Sequence, residues 1–253
     1  MNIFITGVSR GLGKELAVHY TETGHRVFGF SRSVPDDNDG EIKKLKESAG
    51  FAYYMGSINE SSDVKTAVDE AVKFMGGIDV LINNAAYKLF KPPDEITEEE
   101  YRESIRTNLT SQILVCAAVM PHLLNAKGGK IINLSSNAGM THYGDGTAYC
   151  SSKAGLIAYS LSLADYLKDK NVSVNVISPP TFSTGDYRKT SPGINHGKLV
   201  QSESVIKIID YIIFNKKFIT GRNFPVFKLK TLIKYAFLKH IEFIDYFFQL
   251  RLK

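Results

Sequence analysis

The sequence predicts an α/β protein in which seven parallel strands form a doubly wound sheet with helices on both faces. Seven short apolar runs alternate with helix-length segments along the chain. Regular alternation of this kind gives right-handed crossovers and therefore a parallel sheet. The runs are apolar at almost every position, which is typical of strands with both faces buried. No repeat or low-complexity linker divides residues 1–227, so we expect one domain there, followed by a C-terminal extension, 228–253.

The boundaries of the elements follow from the apolar runs and the residues beside them. The strands are predicted at residues 2–6, 26–31, 51–56, 79–84, 130–135, 172–178 and 218–224. The helices are predicted at residues 11–23, 41–49, 61–75, 97–125, 149–169 and 202–215. Thr97 precedes three glutamates, which suits the positive end of a helix dipole. Several segments end at a glycine, which readily closes a helix: Gly24, Gly50, Gly76 and Gly128.

The composition indicates a globular protein with a full core. The chain has 253 residues, of which 43% are hydrophobic and 23% charged. Its two cysteines, Cys116 and Cys150, show no metal-ligand spacing, so we expect no metal site, no disulfide framework and a reducing, cytoplasmic compartment. A strand is predicted from residue 2, which makes a secretory signal unexpected. We also expect no membrane-spanning helix.

The positive charge is concentrated in the C-terminal extension. Residues 228–253 hold six basic residues against two acidic ones, a net +4 of the chain's +5. The body is nearly neutral, which argues against a nucleic-acid binder. The recurrence of polar residues among apolar ones in the extension predicts an amphipathic helix or helical hairpin. It either packs on the body or a partner subunit, or contacts the inner membrane surface as a peripheral anchor.

A glycine-rich loop follows the first strand. The stretch TGVSRGLGKEL places Gly7, Gly11 and Gly13 between a strand and a helix, the context of a Rossmann-type dinucleotide site. Glycine permits the sharp turn, the approach of a ligand to the backbone and close helix–strand packing, and the helix N-terminus attracts a pyrophosphate. The alternative is a tight turn without a ligand.

The residues after the second strand favour NADP(H) over NAD(H). NAD sites usually place a carboxylate there to bind the ribose 2′-hydroxyl. Here the strand ends in Ser31 and Arg32, with no carboxylate before Asp36, and Arg10 lies in the glycine loop. Arginine binds phosphate in a bidentate manner, so two arginines suit a 2′-phosphate. The alternative is that both are solvated surface residues.

One Tyr-x-x-x-Lys pair is a candidate for proton transfer. The spacing occurs four times, at Tyr87/Lys91, Tyr149/Lys153, Tyr166/Lys170 and Tyr235/Lys239. Ligands of open α/β sheets bind beyond the carboxyl ends of the strands, and Tyr149 follows Ser136, just past the fifth strand, by 13 residues. Of the other pairs, the first runs into two prolines, the third is at the far end of its helix and the fourth is in the extension. We therefore select Tyr149.

Taken together, these motifs resemble the short-chain dehydrogenase/reductase family over about residues 2–224. The set that carries the resemblance is Thr6-Gly7-x-x-x-Gly11-x-Gly13, Asn83-Asn84-Ala85, Asn108, Ser136 and Tyr149-x-x-x-Lys153. The resemblance implies hydride transfer between a nicotinamide and a carbonyl carbon. It implies Tyr149 as acid/base, with its pKa lowered by Lys153, and Ser136 as the partner of the substrate oxygen. It also implies that Asn108 holds a water of a proton relay.

The resemblance further implies the residues around the cofactor and the assembly. Contacts with NADP(H) are expected from Gly7, Ser9, Arg10, Gly11, Leu12, Gly13, Ser31, Arg32, Ser57, Ile58, Asn84, Ala85, Ala86, Tyr149, Lys153, Pro179, Thr181 and Thr184. Ser57 and Ile58 stand where the family often has an acidic residue, and Pro180 stands where it commonly has glycine. A homodimer or homotetramer is expected. The alternative function is a non-catalytic NADPH sensor or scaffold on the same fold.

The substrate is expected to be a small-molecule carbonyl or alcohol. Tyr87, Lys88, His142 and Tyr143 are either pocket residues or ordinary loop residues. The irregular segment 181–200 is expected to fold over the substrate and to set specificity. A fatty-acyl ketone, a sugar-related ketone and a small polar ketone all remain open.

Overall fold

A computed structural model describes residues 1–33, 40–184, 187–188 and 193–226. Its centre is one sheet of seven parallel strands. These are β1 (Asn2–Thr6), β2 (Arg26–Ser31), β3 (Phe51–Met55), β4 (Val80–Asn83), β5 (Gly129–Leu134), β6 (Val172–Ser178) and β9 (Arg222–Pro225). Two short strands, β7 (Phe182–Ser183) and β8 (Val200–Gln201), pair separately.

Helices connect the strands and cover the sheet. They are α1 (Gly11–Glu22), α2 (Gly40–Glu47), α3 (Ser61–Met75), α4 (Glu98–Ile105), α5 (Ser111–Asn125), α6 (Thr147–Leu167) and α7 (Ser202–Phe214). The strand order is β3-β2-β1-β4-β5-β6-β9. The order reverses between β1 and β4, and ligands of doubly wound sheets bind at such a switch point. The predicted fold of the body is confirmed.

Alternate residues of each central strand enter two different core layers. Ile3 and Ile5 of β1 pack with Leu16 of α1 and Ile209 of α7. Phe4, between them, packs on the opposite face with residues of α3, α5 and α6. Each large apolar side chain buried in this way contributes roughly 1.5–3 kcal/mol. The strands are apolar throughout because both faces of the sheet are covered.

Two predicted elements differ from the observed ones. The segment 97–125 is one continuous helical run, but residues Arg106–Thr110 form a π-helical turn between α4 and α5. The last strand begins at Arg222 rather than at residue 218, because Gly221 has a left-handed φ of 67°. Thr97 caps α4 in a reciprocal capping box with Glu100, as its sequence predicts.

No membrane-spanning helix was expected, but one helical run has the length and the apolar composition of such a helix. Within the described ranges, the run Glu98–Asn125 is long and apolar enough to cross a membrane. Its residues Val115, Cys116, Val119 and Leu123 are completely buried in the core of the domain, and buried core helices meet the same criterion. The extension 228–253, with its predicted helix and membrane contact, lies outside the described residues.

Candidate active site

The carboxyl ends of β1, β4 and β5 bring most of the predicted site residues to one edge of the sheet. Residues 7–10 follow β1, residues 84–86 follow β4 and residues 135–137 follow β5. These three strands are neighbours, so their loops lie side by side at the switch point. The order of the strands, rather than the distance along the chain, assembles the site.

The glycine loop has the backbone that its sequence predicts. Gly7 and Gly11 have φ values of 77° and 59°, in the left-handed region that favours glycine. A Cβ on Gly13 would lie 2.0 Å from the carbonyl oxygen of Gly7, so this position requires glycine for the close packing of α1 on β1. A Cβ on Gly11, in contrast, would meet no atom within 4 Å. Gly11 therefore borders open space.

Asn84 connects the loop after β4 to the glycine loop. Its Nδ2 donates to the carbonyl oxygens of Thr6 and Gly7 at 3.0 and 3.1 Å. Thr6 Oγ1 in turn accepts from the backbone N–H groups of Asn84 and Ala85 at 3.0 and 3.1 Å. Hydrogen bonds of the predicted residues Asn84 and Ala85 therefore fix the loop after β4 to the end of β1. Ala86, the next residue, is exposed.

The N-terminus of α1 suits a phosphate group. No side chain caps it at Arg10, and its first turn has no acidic residue. The dipole and the N–H groups of a helix N-terminus favour negative charge. Ser9 is half-buried beside it. The side chain of Leu12 packs into the core, so only its backbone is available to a ligand.

Two exposed arginines border the predicted ribose position. Arg10 precedes α1 and Arg32 follows β2, and both are exposed. Ser31 is buried and donates from Oγ to the carbonyl oxygen of Ser33 at 2.9 Å, which orders the turn that carries Arg32. Residues 31–33 contain no carboxylate, and Asp36 lies outside the described residues.

An acidic residue that was not predicted from the sequence lies beside Ser57, one of the predicted cofactor contacts. Asp63, in the first turn of α3, accepts from the backbone N–H of Ser57 at 2.8 Å. A Cβ on Gly56 would lie 2.9 Å from the same carboxylate oxygen. The side chain of Ile58 is buried in the core. The sequence contains a signal for Asp63. A glycine at the end of a strand, followed by an acidic residue in the first turn of the next helix, favours a carboxylate that hydrogen-bonds to the connecting loop.

Asn108 lies in the π-helical turn and is completely buried. Its Oδ1 accepts from the N–H of Tyr87 at 2.8 Å, and its Nδ2 donates to the carbonyl oxygen of Tyr87 at 2.8 Å and to Ser152 Oγ at 3.1 Å. The Asn108 side chain therefore fixes the loop after β4 to the start of α6. Single π-helical turns are frequent at functional sites. The sequence did not indicate Ser152 as a partner.

Ser136, Tyr149 and Lys153 lie together at the end of β5. Tyr149 is 5% exposed and Lys153 2% exposed. The Lys153 ammonium donates to the carbonyl oxygen of Leu134 at 2.8 Å and lies 5.9 Å from the centroid of the Tyr149 ring. Ser136 lies close enough to the Tyr149 hydroxyl to influence its pKa. Its Oγ also accepts from the N–H of Ala138 at 3.2 Å. The predicted set is therefore spatially contiguous.

Burial dominates the protonation of this pair. Burial raises the pKa of Tyr149 to about 12, although the neighbouring Ser136 hydroxyl opposes the rise. Burial also lowers the pKa of Lys153 to about 7, and repulsion from the Lys88 ammonium adds to this change. The expectation that Lys153 lowers the Tyr149 pKa is not met in this structure, because loss of hydration is the largest influence on Tyr149 and Lys153 is not among the groups that shift its pKa.

An aromatic wall stands beside Tyr149. The Phe90 ring lies 5.5 Å from the Tyr149 ring and 6.1 Å from the Tyr143 ring, measured between centroids. Tyr143 accepts at its hydroxyl from Asn137 Nδ2 at 2.9 Å. Phe90 and Tyr143 are 48% and 39% exposed, so the wall faces outward. Phe90 was not predicted from the sequence, although its position after the two alanines and Tyr87 was an available signal. His142 is exposed on the same loop.

The residues after β6 complete the edge. The carbonyl oxygen of Pro179 accepts from the N–H of Asn137 at 2.9 Å, which ties this segment to the Ser136 turn. Thr184 is buried, and its Oγ1 accepts from the N–H of Tyr187 at 3.0 Å. Thr181 is exposed. The predicted covering segment, 181–200, is described only in part, so its role remains a prediction.

Comparison with known families agrees with this geometry. The family model described as short chain dehydrogenase matches residues 1–194. The chain belongs to the short-chain dehydrogenase/reductase family. It is 34% identical over 183 residues to 3-ketodihydrosphingosine reductase from Bacteroides thetaiotaomicron, a match that covers 72% of this chain and 64% of the relative. It is 29% identical over 232 residues to 3-oxoacyl-acyl-carrier-protein reductase FabG from Buchnera aphidicola subsp. Acyrthosiphon pisum, covering 88% and 94% of the two chains.

Solved structures share the fold. ElxO with NADP bound superposes with a TM-score of 0.79 at 24% identity, covering 89% of this chain and 96% of that one. A variant of actinorhodin polyketide ketoreductase with NADPH also gives 0.79, at 22% identity and coverages of 89% and 95%. The short-chain dehydrogenase/reductase fold therefore extends over nearly all of the described residues.

The residues present in this short-chain dehydrogenase/reductase fit a dinucleotide. Gly11 borders open space, the Arg10 side chain does not cap the N-terminus of α1, and Asn84 keeps the neighbouring loop in place. Phosphate groups would be held by the start of α1, and the nicotinamide end would lie toward Tyr149 and Lys153. The family is an oxidoreductase family that uses nicotinamide cofactors.

Proposed function

We propose that this short-chain dehydrogenase/reductase reduces a carbonyl to an alcohol with NADPH, or catalyses the reverse reaction, with Tyr149 as the acid/base. The observation that carries the proposal is the burial of Tyr149 and Lys153 beside Ser136, at the sheet edge that also holds the glycine loop. The names of two relatives, a ketodihydrosphingosine reductase and an oxoacyl reductase, support carbonyl reduction.

A nicotinamide cofactor held at this edge of the sheet would supply the hydride for the carbonyl carbon. Because burial raises the pKa of Tyr149 to about 12, its phenol is protonated at neutral pH and donates its proton to the carbonyl oxygen. Ser136 donates a hydrogen bond to the same oxygen and stabilises the negative charge that develops there. The Tyr149 phenolate then regains a proton from the Lys153 ammonium, which solvent reprotonates.

Lys153 is suited to this relay by its altered acidity. With a pKa of about 7, it exists in both protonation states near neutral pH and can give and accept a proton there. We further propose that Asn108 positions the neighbouring segments and takes no direct part in the proton relay. All of its described side-chain contacts go to Tyr87, Ser104 and Ser152, and these contacts hold the start of α6 in place.

The preference for NADP(H) is proposed from charge. Arg10, before α1, and Arg32, after β2, are both exposed, and residues 31–33 contain no carboxylate. A 2′-phosphate would pair with these guanidinium groups. NADP and NADPH in two structural neighbours are compatible with this preference.

Fluorescence titrations of the purified protein with NADPH and with NADH test the cofactor proposal. We expect NADPH to bind at least roughly tenfold more tightly, since a charge-assisted hydrogen bond contributes about 1.5–3 kcal/mol. Arg32→Gln should weaken NADPH binding but leave NADH binding unchanged. The matched control is Arg102→Gln, since Arg102 is an exposed arginine paired with Glu98 on α4, and it should change neither.

Turnover separates the proposed enzyme from the alternative scaffold. NADPH oxidation is followed with ethyl acetoacetate and with methyl 3-oxooctanoate as carbonyl substrates. Oxidation that depends on the ketone supports the reductase. Tight NADPH binding with no oxidation of NADPH by either ketone would favour the non-catalytic sensor, and equal binding of both cofactors would overturn the role of Arg32.

A further inference from the structure

Lys88 lies on a loop whose position beside Tyr149 is fixed on both sides. The preceding residue, Tyr87, is held through its N–H and its carbonyl oxygen by Asn108, each at 2.8 Å. Two residues after Lys88, the Phe90 ring packs 5.5 Å from the Tyr149 ring. The chain between these anchors therefore runs along the side of the proposed acid, and Lys88 is at its middle.

Lys88 differs from the other lysine of this loop in having no counter-ion. Among the described residues it has no hydrogen bond and no ion pair, whereas Lys91 pairs with Glu100 at 2.9 Å. Lys88 is exposed, while the surrounding protein lowers the pKa of its ammonium by desolvation. A cation that is accessible and yet poorly hydrated is favourable for binding an anion.

The charge around the reacting position is also unbalanced. Lys88 and Lys153 repel each other strongly enough to contribute to the lowered pKa of Lys153. In the described part of the chain, no carboxylate contributes to the shifted pKa of either lysine. An anionic group between solvent and Tyr149 would relieve this repulsion. The neighbouring wall of Phe90 and Tyr143 would cover the apolar part of the same ligand.

We propose that Lys88 determines specificity by binding an anionic group, a carboxylate or a phosphate, on the carbonyl substrate. The inference rests on the proposed function, since it assigns the substrate class of that same site. Lys88 binds the anion at the mouth, and the carbonyl then lies deeper, at Tyr149 and Ser136. Lys88 itself transfers neither the proton nor the hydride, although its charge contributes to the lowered pKa of Lys153.

Calorimetric titration tests the proposal without requiring turnover. The probes are two matched pairs, 3-oxooctanoate with its methyl ester and dihydroxyacetone phosphate with dihydroxyacetone, each added with and without saturating NADPH. The wild type should bind the anionic member of at least one pair roughly tenfold more tightly than the neutral member, the size expected of one charge-assisted hydrogen bond. The pair that shows the preference distinguishes a carboxylate from a phosphate.

Two substitutions and a control assign the preference to this side chain. Lys88→Gln should reduce the ratio of the two Kd values to about one, and Lys88→Arg should retain most of it. Lys91→Gln, which changes the ion-paired lysine of the same loop, should leave the ratio unaltered. Equal Kd values for both members of both pairs, or binding of neither pair, would overturn the proposal.

The same titrations separate this inference from the proposed function. An anion preference that Lys88→Gln removes supports the inference even when no carbonyl is reduced. Reduction of the ketones without an anion preference supports the reductase and contradicts the role of Lys88. A preference that persists in Lys88→Gln would assign anion binding to another residue and also contradict it.

Discussion

Helix α6 and the turn after it contain two Tyr-x-x-x-Lys pairs in opposite environments. Tyr149 and Lys153, near its start, are 5% and 2% exposed. Tyr166, near its end, is 66% exposed, and the Lys170 ammonium lies 3.5 Å from the centroid of its ring. In the buried pair the corresponding distance is 5.9 Å. The same spacing in sequence therefore gives a close contact between ammonium and ring in the exposed pair and a wider separation in the buried pair.

The two tyrosines also differ in the direction of their pKa. Lys170 lowers the pKa of Tyr166 through a hydrogen bond and by charge, as simple attraction between phenolate and ammonium predicts. Burial instead raises the pKa of Tyr149 to about 12 and lowers that of Lys153 to about 7. Attraction lowers the pKa of a tyrosine only where its partner keeps a stable charge. The spacing therefore identifies a pair, and the environment decides its chemistry.

The largest difference between the pairs should appear in turnover. We expect Tyr149→Phe to reduce kcat for ketone reduction at least roughly a thousandfold, within the range for loss of a general acid. NADPH binding should remain, since the ring is retained. Tyr166→Phe is the matched control and should keep full activity. Full activity in Tyr149→Phe would remove the distinction between the two pairs.

The next difference should appear in how stability depends on pH. An unfolded lysine titrates near ~10.4, whereas Lys153 in the folded protein has a pKa of about 7. Between these values the unfolded chain binds more protons, so the free energy of unfolding rises with pH. From pH 7 to pH 9 this one group should add about 2 kcal/mol.

Urea unfolding at both pH values measures this contribution. Lys153→Met should lose the rise of about 2 kcal/mol relative to the wild type, because it removes the titrating group. Lys170→Met removes the exposed lysine and should preserve the rise. The same pH dependence in wild type and Lys153→Met would show that the buried ammonium is not destabilised in the folded protein.

The smallest difference should appear in the absorbance of tyrosinate during an alkaline titration. The chain has 13 tyrosines, and each substitution removes one. Tyr166→Phe should remove a group that ionises below the ordinary tyrosine range, and Tyr149→Phe one that ionises only near pH 12. Identical difference spectra for the two variants would mean that burial does not separate the two phenols.

Much of the fold could be predicted because it depends on local pattern. The apolar runs, the Thr97 cap and the glycine loop each specify local structure through residues close in sequence. The start of the last strand was misplaced because Phe218 and Ile219 continue an apolar run, while the left-handed Gly221 delays the pairing with β6. A hydrophobic pattern alone does not show where a glycine interrupts a strand.

The sequence predicts which residues form the site, but not how their charges and hydrogen-bond partners affect one another. Ser136, Tyr149 and Lys153 meet where their motifs indicate. The partners of Asn108, the contact of Phe90 with Tyr149 and the repulsion between Lys88 and Lys153 depend on packing between loops that are distant in sequence. The direction of the Tyr149 pKa also depends on burial, which the spacing of residues does not contain.

The small pair of strands β7 and β8 bears on how such a protein can acquire new substrates. Phe182 pairs with Val200 and Ser183 with Gln201, so both ends of the intervening segment are held together beside the site. The entropic cost of lengthening a segment with joined ends grows only slowly, about 0.6 kcal/mol for each doubling. Insertions between Ser183 and Val200, in the segment that the sequence predicts to cover the substrate, are therefore expected to cost the fold little free energy and to leave the sheet unchanged.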